Sequence, residues 1–71
     1  MYVLILNRKH VSGVIEGSYR DAQSAAKQRS TTGDYVTIWD ADEHGDPLRV
    51  VAGFDNIWHN GKPWPEGDNG N

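Results

Sequence analysis

Apolar positions in this chain come in short runs. The first, Tyr2-Val3-Leu4-Ile5-Leu6, follows directly on Met1. Side chains alternate along a strand, so Val3 and Ile5 share one face while Tyr2, Leu4 and Leu6 share the other. Both faces are apolar, which predicts a central strand over residues 2–8 that is covered on both sides. Asn7 to His10 is polar and turn-like. Val11 to Ile15 predicts a second strand, hairpinned to the first, with Gly13 as a bulge.

The period then changes. Gly17-Ser18 breaks the strand pattern, and Tyr19 to Ser30 reads as a helix rich in strong helix formers. Ser18 is a suitable N-cap, because its hydroxyl can accept a free backbone N–H of the first turn. Asp21 stands three residues later, at the capping-box position. Tyr19, Ala22, Ala25, Ala26 and Arg29 fall on one face. That face is mostly alanine, so the helix can sit close to a sheet. Gly33 is the expected stop.

Alternation returns between Asp34 and Asp40. Val36 and Ile38 face one way, and Tyr35, Thr37 and Trp39 the other. Val36 and Ile38 are the expected core face, against the alanines. Asp42 to Pro47 is a loop marked by Gly45-Asp46-Pro47. Leu48 to Phe54 reads as the next strand. Ile57-Trp58-His59 and Lys62-Pro63-Trp64 flank Asn60-Gly61, the favoured type I′ hairpin turn. Pro63 lacks the N–H a ladder needs, so this last arm belongs at an edge.

The expected order is β-β-α-β-β with a short terminal arm. It describes an α+β domain, an antiparallel sheet of four to five strands with one helix packed on one face, over residues 1–64. Residues 65–71 are expected to form a disordered tail, since they hold no apolar side chain beyond a proline.

Composition narrows the function. A domain of 71 residues buries only about 60% of its unfolded surface, so a partner or a second copy would add welcome burial. With no cysteine, disulfides and thiolate metal sites are excluded. No apolar run approaches the roughly 20 residues that span a bilayer. The start lacks the basic region of a signal peptide, which makes the cytoplasm the expected compartment.

Charge is unevenly placed within a net −3. Residues 1–29 hold Arg8, Lys9, Arg20, Lys27 and Arg29 against Glu16 and Asp21. Residues 30–71 hold Arg49 and Lys62 against Asp34, Asp40, Asp42, Glu43, Asp46, Asp55, Glu66 and Asp68. Such asymmetry can mark an interaction surface.

Catalytic and metal chemistry find little support. Asp40, Asp42 and Gly45 match a calcium loop at positions 1, 3 and 6, but His44 at position 5 and Val51 at position 12 do not. His10, His44 and His59 have no zinc-ligand spacing, and no serine sits in a nucleophile elbow. No cofactor, metal or enzymatic activity is expected.

The aromatics are more telling. Tyr35 and Trp39 are expected on the sheet face opposite the helix, in the composition of a binding hot spot. Trp58 and Trp64 either fold over that face as a second small core or leave an aromatic edge exposed. Nucleic-acid binding through the basic N-terminal half is the alternative, and it is weakened because the aromatics lie in the acidic half.

The segment Tyr19-Arg20-Asp21-Ala22-Gln23-Ser24-Ala25-Ala26-Lys27, with the β-β start, the strand pair and the closing Asn60-Gly61-Lys62-Pro63-Trp64, resembles small phage-encoded proteins, anti-CRISPR inhibitors among them. The resemblance implies a non-catalytic protein that binds a bacterial host complex and blocks its nucleic-acid-binding or effector surface through charged loops and exposed aromatics. On the sequence, the expected partner-contacting residues are Arg8 and Lys9, Tyr35 and Trp39, and Asp40, Asp42, Glu43 and Asp46 of the acidic loop.

Overall fold

The computed structural model describes residues 1–53 and 55–64. The tail expected over 65–71, and Phe54 at the end of the expected fourth strand, lie outside them. Among the described residues the chain forms β1 (Tyr2–Leu6), β2 (His10–Ile15), α1 (Tyr19–Arg29) with a 3₁₀ turn at Ser30–Thr32, β3 (Tyr35–Ala41), β4 (Pro47–Val50), β5 (Ile57–His59) and β6 (Lys62–Pro63). All pairings are antiparallel, in the order β2-β1-β3-β5-β6, with β4 also on β3. It is an α+β domain with one helix on one face of the sheet.

The hairpin from β1 to β2 turns through Asn7 and Arg8, both left-handed at φ 52° and 63°, with the Lys9 N–H donating to the Leu6 carbonyl at 2.9 Å. This primed turn matches the sheet's twist, and asparagine tolerates it better than most residues. The ladder slips between Leu4 and Ile5, where β2 carries Ser12 as an extra residue beside Gly13. The bulge therefore sits at Ser12 itself. It puts Val11 and Val14 on the same face, opposite Ile5 and Val3, although simple alternation separates them.

The capping box forms as the sequence implies. Asp21 N–H donates to Ser18 Oγ at 3.2 Å, and Ser18 N–H to Asp21 Oδ2 at 3.0 Å. The α-helix ends at Arg29, one residue early, because Ser30 turns its hydroxyl to the Lys27 carbonyl at 2.8 Å. Gly33, at φ 100°, then ends the 3₁₀ turn. Ser30 is fully buried, and its Oγ accepts the Gly61 N–H at 2.9 Å while its carbonyl accepts Asn60 N–H at 3.0 Å. One residue, through its hydroxyl and its carbonyl, thus ties the helix end to the β5–β6 turn.

The core lies between helix and sheet. Leu4, Val36, Ile38 and Trp58 meet Ala22 and Ala26, with Tyr2, Leu6, Ile15 and Tyr19 packed around them. Tyr2 and Tyr19 meet at 5.5 Å between ring centres. The Tyr19 phenol is pushed up in pKa, by burial first and then by Asp55 and Tyr2.

Two expectations change. The strand expected over Leu48 to Phe54 is shorter, because β3 has only one free flank and two segments share it. β4 pairs with Trp39 to Ala41, and β5 with Tyr35 to Thr37. Val51, after β4, and Asn56, before β5, meet the same residue of β3: Val51 N–H donates to the Ile38 carbonyl at 3.0 Å, and Ile38 N–H to the Asn56 carbonyl at 2.8 Å. Trp58 also moves. Its partner across the ladder is Val36, so it enters the helix-side core, while Trp64 stays on the opposite face against Tyr35.

Candidate functional site

The helix-free face is read off row by row from the pairing registers. Val14, Val3, Trp39 and Val50 form one row. Val11, Ile5, Thr37 and Ile57 form the next, which Trp64 extends through its N–H bond to the Ile57 carbonyl at 2.7 Å. A third row holds Tyr35, His59 and Lys62, with the turn at Asn7-Arg8-Lys9 beside Tyr35. Two apolar rows thus give way to an aromatic and basic one.

Part of this face is covered. The loop 42–46 folds back so far that a Cβ on Gly45 would stand 3.1 Å from a Val14 methyl. Val3, paired with Val14 on one side and Trp39 on the other, is completely buried although no helix covers this face. The loop is held by Asp42, whose Oδ1 accepts the N–H groups of His44 and Asp46, both at 2.9 Å. The Asp42 carboxylate therefore serves its own turn. Among the described residues no group of three or more His, Cys, Asp or Glu is placed to hold a metal ion.

Beside the covered part a cleft of about 290 Å³ stays open, lined by Arg8, Thr37, Trp39, Val50 and Ile57. Its origin is the shared flank of β3. The chain leaves β3 after Val51 and returns to it at Asn56, both bonded to Ile38, and the cleft lies on this face between Val50 and Ile57. Val50 is 39% exposed. The volume is at the small end for ligand pockets and suits one large apolar side chain.

Arg8 reaches the cleft because Asn7 pins the turn to β3. Asn7 N–H donates to the Tyr35 carbonyl at 2.7 Å, Tyr35 N–H donates to Asn7 Oδ1 at 3.0 Å, and Asn7 Nδ2 donates to Asp34 Oδ1 at 3.0 Å. Asp34 also accepts from the Thr32 hydroxyl at 3.2 Å and pairs with Arg29 at 3.4 Å. These hold the Asp34 carboxyl below its ordinary range, the Asn7 bond first, then Thr32, with Arg29 weaker. A depressed folded pKa adds stability that is present above the unfolded value, about 4, and is lost as pH falls through the folded one. Asp34→Asn is therefore expected to lower the thermal midpoint at neutral pH. The gap to the parent protein should close as melts are taken from pH of about 5 downward; a gap constant across that range would contradict the assignment.

The sequence-predicted residues divide into two groups. Arg8 and Trp39 meet at the cleft. Tyr35 stands one row away, its ring stacked on His59 at 3.8 Å and 2° and met edge-on by Trp64 at 5.4 Å and 83°. Lys9 is exposed in the same turn. Asp40, Asp42, Glu43 and Asp46 lie at the other end of β3. Asp40 belongs to the helix-side face opposite Tyr2 and pairs with Arg49 at 3.5 Å. Val50 and Ile57 were not singled out by the sequence, and His59 was weighed there only as a metal ligand or catalytic group. The only sign of Val50 and Ile57 there is their alternation with residues of the opposite face.

The fold also re-sorts the charges. Arg8, Lys9, Lys27, Arg29 and Lys62 gather where β1 and α1 end and β3 begins, with Asp34 as the one carboxylate there among the described residues. Glu16, Asp21, Asp40, Asp42, Glu43 and Asp46 gather at the other end, with Arg20 and Arg49. The division follows the ends of the strands rather than the halves of the chain.

Comparison of the chain with protein-family models, with curated proteins and with solved structures finds no match.

Proposed function

We propose that this chain is a non-catalytic interaction protein that docks a partner protein on the helix-free face of its sheet. The cleft between Val50 and Ile57 carries the reading. It combines an apolar, partly aromatic floor with a guanidinium that has no ion-pair partner among the described residues. Trp and Arg are the residue types that dominate binding hot spots, and an exposed apolar patch with a polar rim marks an interaction site. The chemistry suits a protein segment that inserts an apolar side chain and sets a carboxylate against Arg8. The likeness of layout to small phage-encoded inhibitors supports a bacterial host complex as the partner, met in the host cytoplasm.

The test compares what tagged variants retain from bacterial lysate. Val50→Asp buries a charge under the docked side chain without touching the core, and Arg8→Glu reverses the rim. Both are expected to lose the captured partner at least about tenfold, as hot-spot changes do, while Gln28→Glu on the exposed helix surface keeps it. Equal capture by all three variants, or no partner with the parent protein, would end this reading.

A further inference from the structure

We propose that the basic end of the sheet binds single-stranded nucleic acid, with a base stacked on the Tyr35–His59 pair and phosphates held by Arg8, Lys9 and Lys62. Arg8 borders both this site and the cleft, while Lys9, Tyr35, His59 and Lys62 are not part of the cleft lining.

The geometry is a row across the sheet. The Asn7-Arg8-Lys9 turn lies beside Tyr35, Tyr35 pairs with His59, and His59 pairs with Lys62. Paired residues share a face, so cations flank two rings that already lie parallel at 3.8 Å. Tyr35 is 39% exposed and Trp64, its edge-on neighbour, 36%. Adjacent strands stand about 4.8 Å apart, so the row spans about 15 Å. That is the reach of two or three nucleotides.

Charge complementarity favours a polyanion. The one described carboxylate at this end, Asp34, is engaged by Arg29, Thr32 and Asn7. Arg8, Lys9, Lys27 and Lys62 form no ion pair among the described residues. Exposed rings between cations are what sequence-tolerant binding of single strands uses, because every base presents a π-face. A duplex fits poorly: its bases offer no free face, and the helix presents its N-terminus at the acidic end. An acidic peptide would satisfy the cations but leave the stacked rings without a role.

The probe is a fluorescein-labelled oligothymidine of about ten nucleotides, read by anisotropy with the full chain. Three phosphate contacts to a single strand give a log–log salt slope near −2, so affinity should fall about twentyfold between about 50 and about 200 mM salt. Lys9→Glu with Lys62→Glu, both on exposed side chains, should weaken binding more than about tenfold and flatten that slope. Tyr35→Leu should weaken it about fivefold to a hundredfold with the slope unchanged, as loss of one stacked base does. Val50→Ala, which opens the cleft without setting a charge beside Arg8, should leave it unaltered, which separates this site from the cleft. A labelled abasic strand of equal charge and a polyglutamate peptide complete the series, and both should bind more weakly. No binding at about 100 μM protein in low salt, or equal affinity for the abasic strand or the peptide, would overturn the proposal.

Discussion

Trp58→Ala is expected to cost about 3–5 kcal/mol, the range for emptying a buried large aromatic site. The ring is 8% exposed and packs in the cluster with Val36, Ile38, Ala22 and Ala26. Its Nε1–H donates to the Asp55 carbonyl at 2.8 Å. A domain of 71 residues has about 4–10 kcal/mol of stability in all. Truncation therefore removes a large part of it, and chemical denaturation should show the midpoint falling steeply. Trp58→Phe separates the two contributions: it keeps most of the ring and loses the hydrogen bond, for about 1 kcal/mol net. The placement has an optical check as well. Acrylamide should quench Trp39 and Trp64 before Trp58, and Trp58→Phe should remove the shielded emission. A Trp58→Ala protein as stable as the parent would show that β5 does not close the core.

Ile38→Ala is the second large effect, expected at about 2–5 kcal/mol. Ile38 is fully buried and sits at the middle of β3, paired with Leu4 of β1. Its backbone is the point where both arms of the other flank attach, through Val51 N–H and the Asn56 carbonyl. Loss of packing there loosens β1, β4 and β5 together. Ile38→Val removes one methylene and should cost about 0.5–1.5 kcal/mol. The pair of variants should unfold in a single transition with lowered midpoints. If Ile38→Ala instead unfolds in two steps, β4 and β5 are separate units and the shared-flank account of the cleft fails.

The two core substitutions differ in how visible they were in the sequence. Ile38 could be assigned to the core from the alternation of Tyr35 to Trp39 alone, because strand period is a property of the chain's own pleat. Trp58 could not. Three residues are too few to establish a period, and which face they show depends on which residue of β3 they meet. The same difference separates Val14 from Val11. The extra residue at Ser12 moves Val11 onto the face of Val14, and only the mismatch between the two strands of the hairpin reveals it. Both members of the cleft that define its walls, Val50 and Ile57, come from segments whose ends were set by competition for one flank of β3.

Sequence by itself determined the local elements: the helix begun by Ser18 and Asp21, the stop at Gly33, the turn at Asn60-Gly61, and the two-faced strand from Tyr35 to Asp40. These rest on capping bonds, backbone conformations and side-chain alternation, which act over three to five residues and can be read in place. Tertiary structure alone decided what stands beside what. Lys62 belongs to the acidic half of the chain, yet antiparallel pairing carries it to the end of Arg8 and Lys9. Glu16 and Asp21 belong to the basic half, yet the turn into the helix leaves them with Asp40 and Asp42. The sequence counts against a stacking surface because its aromatics lie among carboxylates. In the folded sheet Tyr35 and His59 lie among cations, because charges meet through strand pairing across tens of residues and not through their spacing along the chain.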